Sequence, residues 1–262
     1  MHDWRLGTMG FSYAEWAGVF YPPGMRPGEY LEHYSRQFNA VELDTTFHAV
    51  PPEDRVKRWA DVTPDDFRFC VKTPRVVTHD LPIEQGVGAM AHFLGAMAGL
   101  GAKLAVVLLQ FPPSFTDREI GKLDHFLSEL PGEVDFSVEF RHRSWNTDAT
   151  SQMLRKHGVA WVSADYVGED ARIVPTADFL YVRWIGRHGQ FTRMNCEELD
   201  TTERLNWWSG QIALATQDPA IKTVWGFFNN DYAGYSVGTC NRFKEIVGLP
   251  AAAPGAVQGR LF

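Results

Sequence analysis

Short apolar runs alternate along this chain with longer amphipathic stretches, and most of the runs stop on a charged or amide side chain. Eight runs have the length and the β-branched and aromatic content of strands. They are GTMGFSY at 7–13, VELDTTFH at 41–48, FRFCVKTP at 67–74, LAVVLLQF at 104–111, DFSVEFR at 135–141, VAWVSAD at 159–165, FLYVRW at 179–184 and TVWGFFNND at 223–231. Between them, residues 27–38 set Tyr30, Leu31, Tyr34 and Phe38 at helical spacing. Residues 52–60, 86–101, 116–130, 148–157, 197–215 and 235–247 predict further helices. Thr116-Asp117-Arg118-Glu119 spells a capping box at the start of one of them.

Strands alternating with helices predict a parallel sheet. Eight of them within about 225 residues favour an α/β fold of the (β/α)8 TIM type over an open doubly wound sheet. The expected layout is a single-domain barrel over residues 1–249 and a short flexible tail over 250–262. GTMGFS after the first strand fits neither a dinucleotide fingerprint nor a P-loop.

In such a barrel the carboxyl ends of the strands build the site, and residues two apart on a strand share a face. Glu42 with Asp44 and Glu139 with Arg141 are such pairs. Lys72, Gln110, Asp165, Arg183, Asn229 and Asn230 end other strands, and all are expected to converge on one mouth. His79 and His48 follow strands in loops at the same end and are candidate proton carriers, His79 the stronger. Tyr13, Trp16 and Trp145 are loop aromatics near it that would either stack on a ring or pack the loops.

Four readings of this set are open. The charges form a stabilising ion-pair network. Glu42 and Glu139 act as paired carboxylates of a glycosidase type. Glu139, Asp165, His79 and Asn229 hold a divalent ion, Mg²⁺ or Mn²⁺. Lys72, Arg141 and Arg183 bind a phosphate or carboxylate. A network alone would place costly charges at one end with no ligand to meet them, which favours function for the set as a whole.

Net charge narrows the partners. At −7 the chain lacks the basic surface of a high-affinity duplex binder, although a local cationic pocket is compatible with it. Cys70, Cys196 and Cys240 are far apart and odd in number, so reduced thiols in a cytoplasmic protein are expected rather than a zinc ribbon or a disulfide framework. No apolar run approaches the roughly 20 residues of a membrane span.

Several segments resemble the YecE-like family, or domain of unknown function 72. GTMGFSYAEWAGVFYPPG at 7–24 is similar to the family's opening G-T-S-G-W-S-Y and W-x-G-x-F-Y-P. VELDTTFHAVP at 41–51, FRFCVKTPRVVTH at 67–79, LLQFPPSF at 108–115, VEFRHRSW at 138–145 and FFNND at 227–231 resemble further blocks. The resemblance covers nearly the whole domain and implies a TIM-type barrel, with no particular reaction. It adds Ser144 to the candidates and carries Glu42, Lys72, His79, Gln110, Glu139, Arg141, Trp145, Asp165, Asn229 and Asn230 over position by position. Asp44 stands where the family pattern has Asn and His48 where it has Tyr, and RWIGRHG at 183–189 departs from R-F-H-G, which leaves His188 without a clear counterpart.

The chain closes on Gln258-Gly259-Arg260-Leu261-Phe262, which resembles the Q-x-x-L-F pentapeptide that docks bacterial proteins on the DNA sliding clamp. Gln258, Leu261 and Phe262 are the expected contacts, with fold-back of the two apolar residues as the alternative. The sequence favours a phosphoester hydrolase acting on a nucleic acid or nucleotide, brought near DNA by the tail. A sugar or metabolite hydrolase or isomerase and a non-catalytic anion binder are the alternatives.

Overall fold

In the computed structural model, which describes residues 2–166 and 171–252, the apolar runs form parallel strands. These are β1 (Asp3–Thr8), β2 (Ala40–Leu43), β3 (Arg68–Lys72), β4 (Leu104–Gln110), β5 (Asp135–Glu139), β6 (Ala160–Trp161), β7 (Ser163–Asp165), β8 (Phe179–Trp184) and β9 (Thr223–Phe228). The helices are α1 (Tyr30–Ser35), α2 (Glu53–Asp61), α3 (Gly86–Met97), α4 (Ile120–Ser128), α5 (Asp148–His157), α6 (Thr202–Ala215), α7 (Asn230–Ala233) and α8 (Ser236–Ile246).

Among the described residues the pairing makes two sheets, β1-β9-β8-β7 and β2-β3-β4-β5-β6, rather than the single closed sheet that the sequence predicts. The two seams have different causes. The sixth run divides at Val162: β6 pairs with β5, β7 pairs with β8, and the Val162 amide still donates to Val138 O at 2.9 Å. Between β1 and β2, side chains replace most of the ladder. Asn39 accepts from the Leu6 amide at 3.1 Å and donates to Trp4 O at 2.8 Å, while the Tyr34 hydroxyl accepts from the Thr8 amide at 2.8 Å and donates to Ala40 O at 3.2 Å. Past them Met9 forms a parallel bridge with Glu42. Gly7 is required at this seam, because a Cβ there would lie 2.0 Å from Ala40 O.

Alternation sorts the strand residues into two layers. Leu6, Val41, Leu43, Val71, Val107, Leu109, Val138, Val182 and Trp184 pack with helix residues such as Val56, Phe93, Leu123, Leu154, Trp208 and Phe243 in one buried cluster. Met9, Cys70, Val106, Leu108, Val162, Phe179, Tyr181 and Phe227 belong to a second buried cluster that contains no helix residue. The candidate site stands on the face of this second layer.

Several predicted boundaries shift. The first run is extended from Asp3 and leaves the strand at Thr8, and the second breaks after Leu43 into a 3-10 turn at Thr45–Phe47. Asn230 to Ala233 is helical rather than extended. Thr116 makes no side-chain cap, and the 197–215 segment becomes helical only at Thr202. The chain remains fastened to α8 as far as Ala252, whose amide donates to Asn241 Oδ1 at 2.8 Å and whose carbonyl accepts from Asn241 Nδ2 at 3.2 Å. Gln258, Leu261 and Phe262 lie outside the described residues. Among the described residues no helix is long and apolar enough to cross a membrane.

Candidate functional site

Strand register assembles the site. Gln110 pairs with Glu139 across β4 and β5, and Lys72 pairs with Leu108 across β3 and β4. With Glu42 two residues after Ala40 and Arg183 two residues after Tyr181, these side chains end the helix-free layer at the carboxyl ends of their strands.

The arrangement has a sealed floor and an open rim. On the floor Arg183 clamps Glu42 with two bonds, Nε to Oε2 at 2.9 Å and Nη2 to Oε1 at 2.7 Å, and its Nη1 donates to Glu139 Oε2. Tyr181 adds a hydrogen bond to Glu42 Oε2 at 2.8 Å, and Tyr166 one to Glu139 Oε1 at 2.5 Å. Glu42, Glu139 and Arg183 are 0%, 1% and 4% exposed, so this layer is closed to solvent. Burial alone would raise the Glu139 pKa, but Arg183 and Arg141 outweigh it and hold the carboxyl at about 2. Arg183 moves up, because its two carboxylates overcome the burial that would lower it. Both tyrosines are pushed up by burial and by the carboxylates they serve.

On the rim, Gln110 Oε1 accepts from Lys72 Nζ at 2.7 Å and from Arg141 Nη2 at 3.4 Å. Lys72 also sits over the Phe47 ring, 3.9 Å from its centroid, and among the described residues no carboxylate lies within ion-pair distance of it. Burial and the charge of Arg183 bring the Lys72 ammonium down to about 8. Arg141 stacks on Tyr166 at 4.2 Å and forms an ion pair with Glu139, yet its buried Nε–H is not aimed well enough to make a hydrogen bond there. His79 reaches the same neighbourhood through Phe47, at 4.9 Å between ring centroids, and Nδ1 shares a 2.8 Å hydrogen bond with Thr78 Oγ1. Burial and Lys72 lower the His79 pKa.

The structure thus brings together Glu42, Lys72, Gln110, Glu139, Arg141 and Arg183, with His79 beside them. Other candidates go elsewhere. Asp165 pairs in register with Trp184, not with Arg183, and so faces the helices. It accepts from Arg204 Nε and Nη2 at 3.0 Å, from Trp208 Nε1 at 2.6 Å and from the Tyr232 hydroxyl at 2.8 Å, the full complement of a structural brace. Asn230 likewise turns away, accepting from the Ser236 amide at 2.9 Å and its hydroxyl at 2.8 Å. Asn229 caps α7 through the Asp231 amide at 2.9 Å and approaches Met9 Sδ at 3.6 Å. Trp145 is buried under the loops, bonded to Phe115 O at 2.8 Å and stacked on Phe140 at 4.2 Å, and Ser144 accepts from the Asp117 amide at 3.0 Å.

Tyr13, Asp44 and His48 line a separate cleft of about 740 Å³ with Arg55 and Arg58. Tyr13 donates to Met9 O at 2.6 Å and stacks tilted on Trp16 at 4.7 Å. Burial and Asp44 raise its phenol, with Asp231 and Glu42 adding to the shift. His188 bonds Asp231 Oδ2 at 3.1 Å with its side chain in solvent.

The expected divalent-ion set is not assembled. Asp165 faces the helices, Glu139 is saturated by cations and a phenol, and among the described residues no three His, Cys, Asp or Glu side chains are grouped to hold a metal. Sequence reasoning missed Tyr181, which shares a face with Arg183 by simple alternation, and Tyr166 and Phe47, which lie beyond strand ends where no period applies.

A model of the family described as "Protein of unknown function DUF72" matches residues 5–259. The UPF0759 protein YunF of Bacillus subtilis is 32% identical over 279 residues, covering 92% of this chain and 95% of that protein. The UPF0759 protein YecE of Escherichia coli strain K12 is 36% identical over 147 residues, 56% of this chain and 54% of its own length, so the chain spans about half of that relative. A DUF72 family protein from Thermotoga maritima has a crystal structure that superposes with a TM-score of 0.78 at 28% identity, over 94% of this chain and 100% of that one. A DUF72 family protein from Enterococcus faecalis superposes at 0.71 with 22% identity, over 95% and 99% of the two chains, a likeness of fold alone. By sequence and by fold, this chain belongs to the DUF72 family.

Proposed function

We propose that the two sheets act as one TIM-type barrel and that its mouth binds the anionic group of a small molecule, a phosphoryl group foremost. One observation carries this reading: among the described residues Lys72 has an amide and an aromatic ring as partners and no carboxylate, while Glu42 and Glu139 are committed to Arg183 and Arg141. Among the described residues three cations against two carboxylates leave a positive charge at the rim, in surroundings dry enough to lower the lysine pKa. An oxyanion supplies the missing partner. The paired-carboxylate reading is weaker, because a carboxyl held at about 2 is no proton donor near neutrality.

The reaction that fits best is hydrolysis of a phosphoester in a cytoplasmic enzyme. In the tautomer that donates Nδ1–H to Thr78 Oγ1, His79 keeps a lone pair on Nε2 to accept a proton from the attacking water. The new P–O bond forms to that water oxygen and the ester P–O bond breaks. Lys72 gives its proton to the departing alkoxide, and Arg141 holds the charge on the remaining oxygens. The products are an alcohol and a phosphate, and the two proton carriers are then restored by exchange with solvent. Turnover of phosphomonoesters and phosphodiesters by wild type, K72M and H79N tests the assignment. Turnover lost in both variants supports it, and turnover retained in K72M rejects it.

A partner is proposed from the sequence of the tail. Gln258, Leu261 and Phe262 would dock on the DNA sliding clamp, the glutamine amide at a pocket rim and the two apolar residues in a cleft, which would raise the local concentration of the enzyme near nucleic acid. Clamp binding by the full chain and by a chain ending at residue 257 tests it. Equal binding by both rejects it.

A further inference from the structure

We infer that the cleft between the loop after β5 and residues 171–174 is a second oxyanion subsite, so that the ligand of the mouth carries two anionic groups. The inference rests on the mouth reading for the first group and on separate residues for the second. The cleft holds about 540 Å³, and its lining includes Arg141, His142, Arg143, Asn146, Trp161 and Arg172. None of the described residues lining it is Asp or Glu.

Surface arginines are common, but Arg141 and Arg172 are each held against an aromatic ring. Arg172 is fixed from two sides, stacked 4.5 Å from the Trp161 ring centroid and donating from Nη2 to Asn146 Oδ1 at 2.6 Å. That bond uses the Asn146 acceptor and leaves the remaining guanidinium N–H groups without a carboxylate among the described residues. Arg143 likewise has no carboxylate partner among them. His142 Nδ1 accepts from the Ser144 amide at 3.2 Å, so the neutral ring carries its proton on Nε2 and presents a donor. The lining is thus rich in donors and positive charge, with its planar forks held in advance, which suits the oxygens of a phosphate, phosphonate or carboxylate. Arg141 joins the two places, since it shares Gln110 with Lys72 on the rim and also lines the cleft. A molecule with anionic groups at both ends can bridge them, and one with a single group fills the mouth alone.

Calorimetric titration separates these cases, with inorganic phosphate and a ladder of alkane α,ω-bisphosphonates of increasing length as probes. Wild type, K72M and the R143A/R172A double variant are compared. Both arginines are exposed, and R143Q/R172Q is the reserve pair if thermal melting shows the alanine variant unfolded. The expected result is one chain length that binds at least about tenfold tighter than phosphate. The double variant should lose that advantage while binding phosphate as wild type does. An advantage retained in the double variant, or a ladder in which no member outbinds phosphate, overturns the subsite. If K72M leaves phosphate binding untouched while the double variant weakens the bisphosphonate, the mouth reading fails and the subsite stands.

Discussion

The Lys72 ammonium donates to the Gln110 amide oxygen at 2.7 Å instead of to a carboxylate, although two carboxylates end strands of the same layer. Arg183 takes both, and the lysine is left charged, half-buried and, among the described residues, without a carboxylate counterion. A fold that needed only stability would have little use for this lysine.

Lys72→Met should therefore stabilise the protein near neutral pH. The folded-state pKa of about 8 lies below that of an unfolded lysine, so the unfolded chain holds the proton more tightly. The cost is present in full below about pH 8 and is relieved as pH rises toward the unfolded value of about 10.4. Urea unfolding at pH 7 should show the variant more stable by about 2 kcal/mol, and the gap should narrow by pH 10. A variant less stable than wild type at pH 7 would contradict this.

Glu139 has the opposite sign. Its folded pKa is depressed to about 2, so its contribution is present above the unfolded value of about 4.3 and is lost as pH falls through about 2. Glu139→Gln should cost about 3 kcal/mol at pH 7, because it leaves Arg183 and Arg141 partly unpaired in a closed layer. The difference from wild type should shrink in melts taken below pH 4. A pH-independent difference would mean that packing, not charge, sets the cost.

If hydrolysis runs as proposed, its rate should have a bell-shaped pH profile. His79 must be neutral, which places the acidic limb below the ordinary histidine range, and Lys72 must be charged, which places the basic limb at about 8. A basic limb that persists unchanged in Lys72→Arg would remove the lysine from the proton transfer.

Asp165→Asn should lower stability by about 2 kcal/mol or more and leave phosphate affinity at the mouth unchanged, since the carboxylate serves Arg204, Trp208 and Tyr232 on the helix side. Thermal melting and a phosphate titration of the variant read the two effects separately. Lost affinity in a folded variant would return Asp165 to the site.

Gly7→Ala tests the seam between β1 and β2. The added Cβ would meet a backbone oxygen, and no side-chain rotation relieves it, so a loss of about 2 kcal/mol or more is expected in chemical denaturation. Wild-type stability would show that the seam yields easily.

Alternation made Glu42, Lys72 and Glu139 legible, because the apolar residues before them favour the opposite phase, while Gln110 and Arg183 were found only as the polar residues near the ends of runs apolar in both phases. It failed at Asp165. The run VAWVSAD has apolar residues in both phases, Val159 and Trp161 in one and Ala160 and Val162 in the other, so the buried face cannot be told from the pattern. The seam was hidden for another reason: Asn39 and Tyr34 complete it with side chains, and no periodicity encodes that. Trp145 and Ser144 lie in a loop whose path is set by tertiary packing on Phe115, Phe140 and Asp117.

Titration of wild type and K72M with inorganic phosphate at pH 7 and pH 9 tests the central claim most directly. Wild type should bind at pH 7 and lose affinity by pH 9 as the lysine deprotonates, and K72M should bind at least about tenfold more weakly at pH 7. Equal affinity in the two proteins, or wild-type binding that does not change across that range, would contradict it.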